Sequence, residues 1–405
     1  MSIRVSSSAM FDRGPRQIGT QQAGIVKIQD QISSGKRITK PSDDPSGAAR
    51  ILDLKYSNQA VDQILRNQQT AQTRLDQTES VIASATNILQ NISENTVRIQ
   101  NGTYSQLDMK SFATDIRGSV QELLGLANSR DAEGNFIFAG FAAKTQPFTQ
   151  AGSEIVYNGD SGEVMAQIGL QRKMRVSDSG QDMFMAIKDG NGTFSVNAQD
   201  SNLGSAKIQN SSVQDKASLQ KGNYDIDFAL DALGNATYTV TNTDNNSVVT
   251  TGTYKSGESI AFDGMQITLS GAPADGDKFS IEPAKDSSIF DMLLKFADTL
   301  ENAANNESEL AVKQTQVFAH AQNVERALDH MINTRVDVGS RLSEIDTFQG
   351  IMATSSELVL TEISSYEDLD YAKAISELTK KQTIFQAAQM SYMKIISSSM
   401  FDYMK

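Results

Sequence analysis

The stretch AARILDLKYSNQAVDQILRNQQTAQTRLDQTESVIASATNILQNISENTVRIQN, Ala48 to Asn101, decides the fold. Its 54 residues contain neither glycine nor proline, and Ala, Gln, Leu and Arg dominate it. These residues give up little to enter a helix. If continuous, the helix would be about 80 Å long at 1.5 Å per residue. Helices of compact domains average about 11–12 residues, so the length points to a coiled coil or bundle. Alternating steps of three and four from Ile51 give Leu54, Asn58, Val61, Leu65, Gln68, Gln72, Leu75, Glu79, Ile82, Thr86 and Leu89. That is a heptad-like seam interrupted by polar residues, a pattern that fixes register once partners meet.

Working outward, a second helix is expected over about Leu107–Ser129, after the Asn101-Gly102 break. The C-terminal part mirrors the front. Beyond Pro283 there is no proline, and the glycines are Gly339 and Gly350. Helices are expected over Asp286 to about Leu300, Glu307 to about Leu360 and Asp368 to about Ser399, with breaks at Asn305-Asn306 and Ser364-Ser365. The last helix carries a seam of Tyr371, Ile375, Leu378, Gln382, Phe385, Gln389, Tyr392, Ile396, Ser399 and Tyr403. An ordinary intrachain bundle with imperfect cores is the competing reading of both seams.

From about Asn135 to Pro283 the character changes. Gly, Asn, Asp, Ser and Thr are frequent, and short β-branched runs such as Ala236–Val240 and Gln266–Leu269 alternate with turn pairs such as Asp189-Gly190 and Asp263-Gly264. Such alternation between turn signals reads as antiparallel strands. The fold expected is therefore mainly α with a β insertion: a long coiled-coil-like bundle from the N- and C-terminal parts, plus a central antiparallel β domain. The segments are 1–45 (N-terminal assembly segment), 46–134 (N-terminal helical half), 135–283 (inserted β-rich domain), 284–365 (C-terminal helical half) and 366–405 (C-terminal assembly helix).

The chemistry needed for catalysis is scarce. The chain has no cysteine, which removes disulfides, thiolate ligands and thiol nucleophiles. Its two histidines, His320 and His330, lie ten residues apart and so on different helix faces, which excludes a metal pair and suggests surface or interface residues. No phosphate-binding loop, dinucleotide fingerprint, nucleophile elbow or EF-hand pattern is present. Asp225 with Asp227, and Asp275 with Asp277, could form a carboxylate pair or calcium site, but in so acidic a segment they read as solvated. Net charge of −13 argues against phosphate-backbone partners. No apolar run is long enough to span a bilayer, and the first residues lack the apolar core of a signal peptide. The expectation is a protein that is not an enzyme and needs no cofactor or metal.

Three groups of residues resemble a known family, the flagellar axial proteins. Ser33–Ile38 followed by Pro41-Ser42-Asp43-Asp44-Pro45-Ser46-Gly47-Ala48-Ala49 is similar to the N-terminal signature shared by flagellins and hook-associated protein 3. The Asp-Asp-Pro spelling is nearer the latter. Leu126–Asp131, Gly134–Phe141 and Pro147-Phe148 resemble the junction proteins' passage from helix to β domain. Asp368–Ala372, Ala374–Leu378, Gln386–Gln389 and Tyr392–Met404 resemble the C-terminal helix.

The resemblance implies a structural subunit exported through the flagellar type III channel with a cytosolic export chaperone. It would assemble as a ring with copies of itself between hook-associated protein 1 and flagellin. It also implies that the terminal segments order on assembly. On that reading Met1–Ile32 and Asp368–Lys405 are the assembly elements. The packing residues would be Ile375, Leu378, Phe385, Tyr392 and Ile396, with Ile3, Val5, Ile18, Ile25, Ile28 and Ile32 as partners. These could equally form an intrachain core. A flagellin is the nearest alternative, and an adhesin or glycan-binding β module on a helical stalk comes from a different class.

Overall fold

The computed structural model describes residues 7–101, 104–152 and 154–403. They form two compact units, one from residues up to 66 together with 348 onward, the other from 67–347. Helices α1 (Ser7–Ser34), α2 (Pro45–Asn101) and α3 (Gln106–Ala127) precede the strands; α4 (Ile289–Glu301), α5 (Glu307–Glu367) and α6 (Tyr371–Tyr403) follow them. The first unit holds α1, α6, residues 45–66 of α2 and residues 348–367 of α5.

Local chemistry sets the helix ends. The Gly47 N–H donates to Asp44 Oδ1 at 2.9 Å, and Pro45 stands in the first turn, where its missing N–H is not needed. At α3, Ser105 and Asp108 form a reciprocal capping box. The Ser288 hydroxyl accepts from the Phe290 and Asp291 N–H groups at α4. Because Ser288 takes the cap, Asp286-Ser287 pairs as a short strand instead of opening the helix, as the sequence suggests. The break expected at Ser364-Ser365 is also absent. Ser365 donates to the Glu362 carbonyl within the helix, Ser364 donates to the Asp368 carboxylate just past its end, and α5 runs on to Glu367. All twelve seam positions of α2 from Ile51 to Leu89 are buried or half-buried.

In the unit of 67–347, small hairpins come first: β1 (Phe148–Ala151) with β2 (Glu154–Tyr157), and β3 (Met165–Gln167) with β4 (Lys173–Arg175). One π-helical turn (Gln181–Met185) leads to β5 (Ile187–Lys188). Beneath them Phe138, Phe148, Phe184 and Phe290 are fully buried, the last three with ring centroids within 5.9 Å of each other.

The larger β body consists of β6 (Phe194–Ala198), β7 (Lys207–Val213), β8 (Tyr224–Leu230), β9 (Ala236–Asn242), β10 (Ser247–Thr253), β11 (Ser259–Phe262), β12 (Met265–Ser270) and β13 (Lys278–Pro283). They make an antiparallel sheet in the order β10-β9-β8-β13-β6 and a second in the order β11-β12-β7. Strand β8 shows the logic: Tyr224, Ile226 and Phe228 point into the core that also holds Val240, Ile267, Leu269 and Phe279. The β11–β12 turn is Asp263-Gly264, with φ of 44° and 79°, the left-handed pair a two-residue hairpin requires. Finally β14 (Asp286–Ser287) pairs with β5, so the chain enters and leaves the β body side by side.

Candidate assembly interface

The first unit brings together segments more than 300 residues apart in sequence. After α1, Gly35 adopts φ 70° and the chain turns. Its carbonyl accepts the Leu369 N–H at 3.0 Å, and the Arg37 N–H donates to the Glu367 carbonyl at 2.7 Å. Side chains reinforce this clasp. Lys36 Nζ lies 2.6 Å and Lys55 Nζ 3.1 Å from Glu367 Oε1, and the Arg37 guanidinium donates to the Tyr366 carbonyl. The Lys36 ammonium, with Lys55 beyond it, holds the Glu367 carboxyl below its ordinary value. One loop away, Asp43 takes Lys27 at 2.9 Å and accepts from Thr39 and Lys40, which together hold it far below the usual carboxylate range. The Pro41–Gly47 signature is thus a turn staple (Asp43) followed by a helix cap (Asp44).

Helices α1 and α6 pack antiparallel against each other. Three places fix their alignment. A side chain at Gly14 would meet the Tyr392 ring, one at Gly24 would meet Lys381, and Gly35 lies under the Tyr371 hydroxyl. The paired residue numbers sum to 405 or 406, the mark of a single antiparallel register. That register sets Ile18 opposite Ala388, Ile25 opposite Lys381, Ile28 opposite Leu378 and Ile32 opposite Ala374. Ile28 and Ala374 are buried, while Ile18, Ile25, Ile32, Leu378, Phe385, Tyr392 and Ile396 are half-buried. Ile3 and Val5 lie outside the described residues.

Ile375 stands one position off the seam and is 53% exposed. Stepping by three and four from Tyr371 selects it, yet Ala374 takes the inner place. A branched side chain on α1, Ile32, fills that level, and only a small residue opposite allows close approach. The seam residues the sequence reading missed are Gly14, Gly24, Ala374, Lys381 and Ala388. Four of the five are glycine or alanine, which a search for large apolar residues passes over, and Ala374, Lys381 and Ala388 recur at heptad spacing.

Outside the seam, α6 presents Tyr371, Ile375, Met390 and Met393, each at least half exposed. On a helical wheel they form a stripe about 100° from the seam. Exposed apolar side chains grouped on one flank mark a surface that another body can cover.

The other candidates are structural. Asp225 and Asp227 share Lys278, whose Nζ lies 3.1 and 2.9 Å from them, so they form an ion triad on β8 and β13. Asp277 is buried and accepts from the Leu203, Gly204 and Ala274 N–H groups, while Asp275 accepts from Leu230. His320 is not a surface residue: it stacks on Phe296 and bonds Thr299 at 3.0 Å between α5 and α4. His330 is half-buried, with Nε2 3.0 Å from the Asp182 carbonyl oxygen. Among the described residues no cluster of three potential metal ligands occurs, and no helix is long and apolar enough to cross a membrane.

Comparison with known proteins agrees with this geometry. Residues 5–143 match the bacterial flagellin N-terminal helical region, and residues 321–403 match the bacterial flagellin C-terminal helical region. Residues 195–283 match the D2-like domain of flagellar hook-associated protein 1. The flagellar hook-associated protein 3 of Escherichia coli K12 is 34% identical over 185 residues, 46% of this chain and 58% of that protein. The alignment thus takes in a little over half the length of the curated relative. The flagellar hook-associated protein 3 of Legionella pneumophila has a solved structure that superimposes with a TM-score of 0.74 at 28% identity, covering 78% of this chain and 98% of that one. For the FlgL protein of Xanthomonas campestris the values are 0.71, 26%, 77% and 99%. The chain matches the flagellin-type helical region at each end, and its relatives from Escherichia coli and Legionella pneumophila bear the name hook-associated protein 3.

Proposed function

We propose that this chain, with flagellin-type helices at both ends, is a structural junction subunit of the bacterial flagellum. It assembles as a ring of identical copies between hook-associated protein 1 and the flagellin filament, reached through flagellar export with a cytosolic chaperone. The observation that supports this most is the pairing of α1 with α6 beside a stripe of exposed apolar side chains. In this reading the seam organises the ends of one subunit, and the stripe of Tyr371, Ile375, Met390 and Met393 is buried against neighbours. No bond is made or broken; the work is burial of apolar area, about 25 cal/mol per Å².

The test is Phe385→Asp, which places a carboxylate in the half-buried seam while leaving the β body untouched. The altered chain is expected to be exported and folded, yet filaments should be shed and swimming lost. Normal swimming would contradict the assignment. A flagellin would differ in polymerising without limit. A glycan-binding module would require the β6–β13 body to hold a ligand by itself.

A further inference from the structure

The apolar pattern of the α1–α6 seam does not select one alignment. Ile18, Ile25 and Ile32 recur every seven residues, as do Leu378, Phe385 and Tyr392, and Ala374, Lys381 and Ala388. Sliding one helix past the other by a heptad would again set apolar against apolar, so burial alone leaves the slipped states close in free energy.

We propose that glycine notches on α1, above all Gly14 under Tyr392, hold this register along the helices away from the clasp of Gly35 with Leu369 and so fix how the assembly flank is presented. The proposal rests on the reading of α1 and α6 as assembly elements. A Cβ at Gly14 would sit 2.5 Å from Tyr392 Cδ2 and 2.6 Å from Cε2, closer than carbon atoms approach without displacement. The contact is with the body of the ring, carried on α6, and not with the tip of a long flexible chain. At Gly24 the neighbour is the Lys381 ammonium at 2.8 Å, the movable end of a long side chain, so this notch discriminates less. Gly35, under the Tyr371 hydroxyl at 3.0 Å, closes the far end.

A slip of seven residues takes Tyr392 off Gly14 and in one direction sets it against Gln21, where a side chain stands in place of the notch. The contrast within α1 supports the assignment: Gly19 has nothing within 4 Å of its would-be Cβ. The notch also persists at a local cost. Gly14 is followed by Pro15, and both residues disfavour a helix interior. Something other than helix propensity therefore requires a residue without a side chain at this position. A fixed register has one further consequence. It sets the phase of Tyr371, Ile375, Met390 and Met393 around the pair, so every copy offers neighbours the same surface.

Because the chain has no cysteine, disulfides can report register directly in assembled flagella. Three pairs are introduced separately: Ile28→Cys with Leu378→Cys for the native register, and Ile28→Cys with Phe385→Cys or Gln21→Cys with Leu378→Cys for the two slipped ones. Flagella isolated from producing cells are oxidised with diamide and the intrachain disulfide is quantified. The native pair is expected to dominate. Adding Gly14→Leu should lower the ratio of native to slipped disulfide at least about fivefold, the lower end of what overpacking costs, with Gly19→Leu leaving it unchanged. Tyr392→Ala in the Gly14→Leu chain should restore it. An unchanged ratio of native to slipped disulfide in Gly14→Leu would overturn the proposal. If Gly14→Leu blocks assembly altogether, failure of Tyr392→Ala to rescue it would overturn it equally. Failure of the assembly reading would look different: the native disulfide would form in the purified chain, yet the chain would be absent from the isolated flagella.

Discussion

Acid should weaken the packing of α4 on α5 through His320. The imidazole lies half-buried against Phe296, bonds Thr299 and has no partner for Nδ1. Removal from water, with Lys295 nearby adding to it and Asp298 opposing, pulls its pKa from the ordinary 6.5 down to about 4. The sign follows from proton counting. Between those two values the unfolded chain binds the proton and the folded chain does not, so stability is present above 6.5 and lost as pH falls towards 4. At 1.36 kcal/mol per unit the whole loss is at most about 3 kcal/mol, of which about 2 kcal/mol is gone by pH 5. Urea unfolding followed by circular dichroism at pH 7, 6 and 5 would measure it in the native chain and in His320→Gln. The carboxylates are common to both and cancel in the difference. The native chain should lose about 2 kcal/mol more than the variant between pH 7 and 5. Parallel pH profiles would refute the reasoning.

Gly47→Ala should destabilise the first unit by about 1 kcal/mol although alanine favours helix, because the new Cβ lies 2.6 Å from Asp44 Oδ2 and 2.7 Å from Ile38 Cδ1 and displaces the cap. Gly118→Ala in α3, with nothing within 4 Å, should instead stabilise by about 0.5–1 kcal/mol in the same denaturation assay. In the second unit, Arg341→Ala strands Asp178, which is as deeply buried as the arginine that holds it at 2.8 Å. A loss of about 3 kcal/mol is expected, the lower end for a broken buried pair because Arg175 still lies 3.3 Å from Asp178.

The architecture was legible because its signals are local and repeated. The gap free of glycine and proline from Ala48 gave α2, heptad stepping gave its buried face, and alternation between turn pairs marked the β body. The resemblance of Pro41–Gly47 to a shared signature also has a physical basis, since Asp43 and Asp44 do separate jobs in one turn. The clasp was not legible. Whether Glu367 meets Lys36 and Lys55 depends on where two distant loops come to lie, and no pattern within either segment encodes it. Ile375 shows a different limit. Hydrophobicity favours it over Ala374 at the seam, but close helix approach rewards small residues, and the partner helix decides. For His320 the sequence leaves surface and interface open, because nothing in its own helix announces that Phe296 and Thr299 of α4 will cover it.

The proposed junction role requires the chain to add to hooks as a short ring and then stop. Purified protein mixed with isolated hooks bearing hook-associated protein 1 tests it directly, with the tips imaged before and after flagellin is supplied. Growth that halts after a short ring and then permits flagellin to polymerise is the predicted result. Unlimited growth from this chain alone, or no addition to the hooks at all, would contradict it.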